Sequence, residues 1–193
     1  MSNLDVCGVK EVYLIHSIGP FLFEEAGRPE IDENKDGIDD RVYDVNVVTL
    51  LNIAGPLIRK VHEEAKKSPL KLTICAFGSV TDRYLVPWWQ SYSKAKNCIR
   101  EYIRSNVGEH TRGVFINVST TSTEKEEKLR PFADKTYWLS CKEVVNRSIR
   151  AILDENLDWQ EIDMFKPNPA YRSDYYFDHK GIREKWLKEI KGV

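Results

Sequence analysis

Short apolar runs rich in β-branched residues alternate along this chain with longer stretches of helical periodicity, and no other feature restricts the fold as much. Val9–His16 (VKEVYLIH), Leu70–Phe77 (LKLTICAF), Gly113–Val118 (GVFINV) and Trp159–Phe165 (WQEIDMF) read as strands. Between the first two, Val42, Val45, Val48, Leu51, Ile53, Leu57, Ile58 and Val61 recur at helical spacing. This predicts a helix over Arg41–Lys67, kinked at Gly55-Pro56 and stopped by Ser68-Pro69. Ser91–Ser105 carries Ala95, Cys98, Ile99, Tyr102 and Ile103 on one stripe, Tyr137–Leu153 reads as a third helix, and Gly181–Lys191 as a short terminal one. Glu24–Asp40 and Gly78–Gln90 are expected to be loops, and Ser119–Asp134 is a polar, highly charged segment. Strands separated by helices pair in parallel, because a parallel connection needs a crossover. The expected fold is therefore α/β, a Rossmann-like doubly wound parallel sheet of about four strands with flanking helices, one domain over 1–193. Ligands in such sheets bind outside the carboxyl ends of the strands, which directs attention to the residues after His16, Phe77 and Val118.

A net charge of -1 on 193 residues gives no electrostatic grip on nucleic acid or an anionic membrane. No apolar run reaches the roughly 18 residues of a membrane span, and MSNLDVCGVKEVYLI lacks a basic segment followed by a long apolar one. A cytoplasmic protein is expected. Cys7, Cys75, Cys98 and Cys141 share no metal-ligand spacing and read as buried thiols in a reducing compartment.

The chemistry gathers after Leu70–Phe77. Ser79 stands just past that strand, Tyr92 thirteen positions later and Lys96 four after that. Positions i and i+4 of a helix share a face, so Tyr92 and Lys96 project together. An ammonium beside a phenol favours the phenolate and lowers its pKa from about 10. The tyrosine then becomes a usable acid/base, and a serine hydroxyl from the strand tip can hold a substrate oxygen against it. With nine tyrosines a chance pair is expected, and Tyr176 with Lys180 is one. Thirteen positions before Tyr176 is Asp163, and that pair follows no strand and loop.

The stretch Gly78–Lys96, GSVTDRYLVPWWQSYSKAK, resembles the active-site segment of the short-chain dehydrogenase/reductase family. That resemblance implies Tyr92 as acid/base, Lys96 as its support and a holder of cofactor ribose hydroxyls, and Ser79 as the group orienting substrate. Other segments line up in register. His16-Ser17-Ile18-Gly19 resembles the family's Asn-Asn-Ala-Gly turn, of which only Gly19 is kept, as a cofactor-contacting position. Asp44-Val45-Asn46-Val47 resembles the helix whose asparagine supports the lysine, implying Asn46 as the fourth catalytic residue. Phe115–Thr123 resembles the strand and loop over the nicotinamide, with Thr120-Thr121 in place of Pro-Gly and Thr123 implied to reach the carboxamide. Glu124–Asp134 matches the mobile substrate lid. The family's glycine-rich cofactor turn, its first two βα units and its third strand have no counterpart here; the chain opens at what resembles the fourth strand. Val9–His16 is then expected at a sheet edge. A partner polypeptide, a second copy of the chain, or a relic site on a non-catalytic scaffold would each account for that.

Two functions follow as expectations. One is an NAD- or NADP-dependent oxidoreductase interconverting an alcohol and a carbonyl on a small molecule, working as a homo-oligomer or with a complementing chain. The other is a non-catalytic or cofactor-deficient module that dimerises through Arg41–Lys67 and Ser91–Ser105. Asp32-Glu33-Asn34-Lys35-Asp36-Gly37-Ile38-Asp39-Asp40 has the oxygen spacing of a calcium loop. Tyr43 replaces the bidentate glutamate, and we read a surface loop with Asp39 or Asp40 as N-cap and no metal. His16, His62, His110 and His179 are scattered, and His16 reads as a core or turn residue. Trp88 and Trp89 fit either a substrate pocket or subunit packing. The aromatic segment Phe165–His179 is expected to close over the pocket or pack on a neighbour.

Overall fold

The computed structural model describes residues 5–6, 8–17, 19–24, 28–84, 86–166 and 177–192. The first half runs through β1 (Glu11–His16), α1 (Asp40–Tyr43), a π-helical turn at Asp44–Val48, α2 (Thr49–Ala65), β2 (Lys71–Ser79), α3 (Val80–Tyr84), a 3-10 turn at Pro87–Trp89 and α4 (Gln90–Ser105). The second half comprises β3 (Thr111–Val118), β4 (Thr121–Ser122), α5 (Glu124–Leu129), a 3-10 turn at Lys135–Tyr137, β5 (Leu139–Ser140), α6 (Cys141–Leu153), β6 (Trp159–Met164) and α7 (His179–Lys191).

Four strands form one sheet in the order β1-β2-β3-β6, every pair parallel, and β4 pairs with β5 in a small separate ladder. β2 and β3 are buried almost throughout, without alternation, as central strands of a sheet covered on both faces must be. β1 is an edge strand of the described sheet, and Tyr13 and Ile15 face outward. On one face α2 and α4 press Leu50, Ala54, Leu57, Ala95, Ile99 and Ile103 onto Leu72, Ile74, Ala76 and Phe115. On the other, α6 lays Val144, Ala151 and Ile152 over Cys75, Val114, Ile116 and Met164. The buried Arg112 guanidinium donates to the Ala151 and Ile152 carbonyls at 2.7 and 2.6 Å, satisfying orphan acceptors at the end of α6.

Several local expectations are corrected. The helix over residues 40–65 departs from α geometry at Asp44–Val48, and α2 continues through Pro56. The cause is Asn46, whose amide donates to the Val42 carbonyl at 2.9 Å and so takes the acceptor that its own backbone N–H would use. Gly78–Gln90 is not an open loop: β2 runs on to Ser79 and α3 follows at once. Ser119–Asp134 contains α5, which starts where the Thr123 hydroxyl accepts from Glu126 N–H at 3.2 Å. The helix expected from Tyr137 begins at Cys141, because Ser140 caps the Glu143 N–H and forms, with Glu143, a capping-box sequence. Cys75 is buried, but Cys98 and Cys141 are exposed; Cys7 lies outside the described residues. So do residues 167–176 of the aromatic segment and Tyr176 of the second tyrosine–lysine pair.

Gly78 on β2 pairs with Asn117 on β3, and a Cβ there would run into the Phe115 ring and the Asn117 side chain. Overpacking of a buried site costs about 1–3 kcal/mol. Gly78→Ala is expected to lower stability by that amount in urea denaturation. Gly108→Ala, where a Cβ would meet nothing within 4 Å, should stay within about 0.5 kcal/mol of the parent chain.

Candidate active site

A cavity of about 380 Å³ opens at the carboxyl ends of the strands, between the tip of β2, the start of α4 and one side of α7. Its position follows from the topology, since parallel strands deliver all their carboxyl ends to one side of the sheet. Of the residues singled out in the sequence, Gly19, Ser79, Tyr92 and Thr123 line it. Lys96 and Asn46 are buried behind Gly19: a Cβ on that glycine would sit 2.6 Å from both Lys96 Nζ and Asn46 Oδ1.

Each of these side chains is held by local chemistry. The Ser79 backbone N–H donates to Asp82 Oδ1 at 2.9 Å, and its hydroxyl accepts from Thr81 N–H at 3.2 Å, so the strand tip turns sharply into α3. α4 has no side-chain cap of its own; the buried Glu24 carboxylate accepts from Ser91 N–H at 3.1 Å and from the Ser91 hydroxyl. A carboxylate at a helix N-terminus is favoured by the helix dipole and the unpaired N–H groups there. This cap fixes the first turn of α4, which carries Tyr92. The Tyr92 ring packs edge-on against Phe21, with centroids 5.9 Å apart. Asn46 Nδ2 reaches Pro20 O at 3.1 Å, which ties the Gly19 turn to the π-helical turn. Asn46 Oδ1 is buried and has no hydrogen-bond partner among the described residues. His16, at the end of β1, is buried beside Lys96; burial and then the Lys96 charge push its pKa down, which favours neutral imidazole.

The electrostatics differ from the expectation drawn from spacing. Lys96 Nζ lies over the Tyr92 ring, 5.1 Å from its centroid. Burial raises the Tyr92 pKa, and the carboxylates of Asp82 and Glu126 add to that. Burial lowers Lys96 to about 8, with Asp82 opposing. Desolvation disfavours the charged form of both groups and here outweighs their mutual help. Near neutral pH the pair is thus a protonated phenol above an ammonium close to its titration point.

The wall facing Tyr92 could not be read from the sequence. Arg130, just past α5, is one of the most deeply buried large side chains. It lies between the Trp138 and Trp186 rings at 4.7 and 4.2 Å and pairs with Glu126 at 2.7 Å and Glu189 at 3.0 Å. Its Nη2 also donates to Thr120 Oγ1 at 2.9 Å. Residues 120, 126, 130, 138, 186 and 189 come from three separate regions, and no periodicity links them. Trp89 lines the cavity and packs 4.5 Å from Trp186, centroid to centroid, so of the two adjacent tryptophans it is the pocket residue. Asp82 was also missed. It is buried and paired with Arg100, which lies 3.1 Å from Glu161, and Asn117 Nδ2 bonds Glu161 and Asp163 at 3.0 and 2.8 Å. The one available signal was Arg100, four residues after Lys96 on α4.

The acidic loop turns its oxygens inward. Gly37 N–H donates to Asp32 at 3.0 Å, Asp36 N–H to Asn34 at 3.0 Å, Ile38 N–H to Asp36 at 2.8 Å, and Asp39 caps α1. No cluster of three or more His, Cys, Asp or Glu suited to a metal exists among the described residues, and no described helix is long and apolar enough to cross a membrane.

No family model and no curated protein matches the sequence. Solved structures do match. One is a short-chain type dehydrogenase/reductase from Mycobacterium ulcerans (TM-score 0.57, 13% identity), which covers 79% of this chain and 58% of its own. Another comes from work on 7beta-hydroxysteroid dehydrogenase stereoselectivity (TM-score 0.56, 17% identity; 97% and 69%). A third is a 4-hydroxyisoleucine dehydrogenase mutant complexed with NADH and succinate (TM-score 0.58, 18% identity; 83% and 69%). The chain thus has the fold of short-chain dehydrogenases/reductases and spans 58–69% of the length of these structures.

A buried ammonium with a pKa near 8 instead of 10.5 destabilises the folded state at pH 7, where both states are protonated. Lys96→Met is therefore expected to raise stability at pH 7 by about 3 kcal/mol. Between pH 8 and 10.5 the folded chain gives up this proton before the unfolded chain does, so the parent gains stability and the difference shrinks. Denaturant midpoints of both proteins across pH 6–10 measure it.

Proposed function

We propose that this chain carries the proton-transfer centre of an NAD(P)-dependent oxidoreductase that interconverts an alcohol and a carbonyl on a small molecule. The observation that carries the proposal is that Tyr92 and Ser79, thirteen residues apart in sequence, line one cavity with Lys96 directly behind.

In the reducing direction the Tyr92 phenol, held protonated by burial, donates its proton to the substrate oxygen, and the Ser79 hydroxyl holds that oxygen in place. A phenolate is left behind. The Lys96 ammonium, 5.1 Å from the ring centroid, stabilises that charge and is itself mostly charged below about pH 8. In the oxidising direction the phenolate takes the proton back. Bound nicotinamide supplies or accepts the hydride. The described residues fit its ribose end. The lack of a side chain at Gly19 lets its backbone lie close to Lys96 Nζ, a donor, and to Asn46 Oδ1, a buried acceptor without a partner among the described residues. Thr121 and Thr123 lie on the cavity wall, and the Thr123 hydroxyl keeps its proton free to donate while accepting from Glu126 N–H. No described residue forms a glycine-rich turn for a diphosphate.

Assembly belongs to the same proposal. Tyr13 and Ile15 on β1, and Val145, Ile149 and Leu153 along one stripe of α6, present apolar side chains to solvent. A second copy or a complementing chain over the β1 edge would cover Tyr13 and Ile15, and one lying along α6 would cover its apolar stripe.

Tyr92→Phe is expected to cut turnover by about 10²–10⁴-fold while changing NADH or NADPH affinity, read from tryptophan fluorescence, by less than about twofold. Reduction by the parent chain should fall as pH rises through about 8, following loss of the Lys96 charge. Undiminished turnover by the phenylalanine variant, or no binding of either nucleotide, would remove this function from the chain.

A further inference from the structure

We infer that the cavity selects ring-bearing carboxylates, with the anion at a lysine-lined mouth and the reacting oxygen against Tyr92 and Ser79. This rests on the oxidoreductase reading and names its substrate class.

Lys125 on α5, Lys166 just past β6 and Lys185 on α7 come from three distant parts of the chain and meet around one cavity. With Arg130, four cations line it against two carboxylates, Glu126 and Asp134, although the whole chain has a net charge of -1. The local excess is thus a product of tertiary folding and not of composition. The partners sharpen the point. The Arg130 charge is matched by Glu126 and Glu189, and Lys185 lies 3.3 Å from Glu189. Lys166 Nζ donates instead to the Trp138 carbonyl at 3.3 Å, a neutral acceptor, and no ion pair to a carboxylate of the described residues offsets its charge. Asp134 accepts from the Thr136 N–H at 3.0 Å as a cap and also feels the Lys185 charge, so it offsets Lys185 rather than Lys166. Like charges brought together repel, so an anion between them is favoured, most strongly where the walls exclude water. Those walls are aromatic: Trp89, Trp138 and Trp186 line the same space and suit the faces of a compact ring. At about 380 Å³ the cavity holds such a ring with one carbonyl and one carboxylate.

The test uses the full chain and a matched pair, 4-oxocyclohexanecarboxylate and its methyl ester, with binding followed by tryptophan fluorescence in the presence and absence of NADH. The carboxylate is expected to bind at least about tenfold tighter than the ester, with the preference shrinking as salt is raised. Lys166→Gln should weaken carboxylate binding about tenfold and leave the ester unchanged, and Lys185→Gln should act in the same direction. Equal affinity for the two probes, or binding of neither, would overturn the inference. Loss of NADH affinity in Lys166→Gln with probe affinity retained would also overturn it, since the lysines would then serve the nucleotide phosphates. Failure of the two readings is separable. Carboxylate preference without any reduction removes the oxidoreductase, whereas equally efficient reduction of both probes keeps the oxidoreductase and removes the carboxylate.

Discussion

The rest of the site depends on one buried charge. Lys96 is placed under the Gly19 turn and against the Tyr92 ring, where water does not reach it, and its pKa falls to about 8. An ammonium so placed is tolerated only if the surrounding backbone is fixed. Glu24 caps α4, Asn46 ties its helix to the Gly19 turn, and a side chain at position 19 would have to displace the ends of Lys96 and Asn46. The arrangement costs stability and gives a phenol whose ionised state has a counter-charge within reach, the usual trade between a strained site and its function.

The other buried charges are handled differently. Asp82, Arg100, Glu161, Asn117 and Asp163 form a connected network beneath the tip of β2. Arg130 is paired with two glutamates and enclosed by two indoles. In both cases opposite charges pair, as burial demands, although burial still raises the Asp82 and Glu126 pKa values. These networks hold the Ser79 turn on one side of the cavity and link the Arg130 region to α7 on the other, so the candidate site is flanked by paired charges.

The parallel sheet was legible because its evidence is local. Apolar, β-branched runs such as LKLTICAF pack only as buried strands, and helical segments between them force parallel crossovers. The relation of Ser79, Tyr92 and Lys96 was legible for a similar reason: a strand end and an i, i+4 pair are fixed by short-range geometry. The π-helical turn was not, because Asn46 competes for the Val42 carbonyl only when Pro20, 26 residues away, draws its amide inward. The starts of α5 and α6 were missed although Thr123 and Ser140 are ordinary N-caps, since charged and polar residues masked the turns they begin.

The sequence by itself determined the order and direction of the four strands of the main sheet, the helices α2, α4, α6 and α7 that follow them, and the three residue types at the candidate centre, because each depends on neighbours within a turn or two. Only the tertiary structure decided the protonation balance of Tyr92 and Lys96, the tryptophan–arginine wall and the gathering of three lysines around one cavity. Those properties depend on how far a group is removed from water and on which distant side chains meet it. Both are set by packing between elements and by no pattern along the chain.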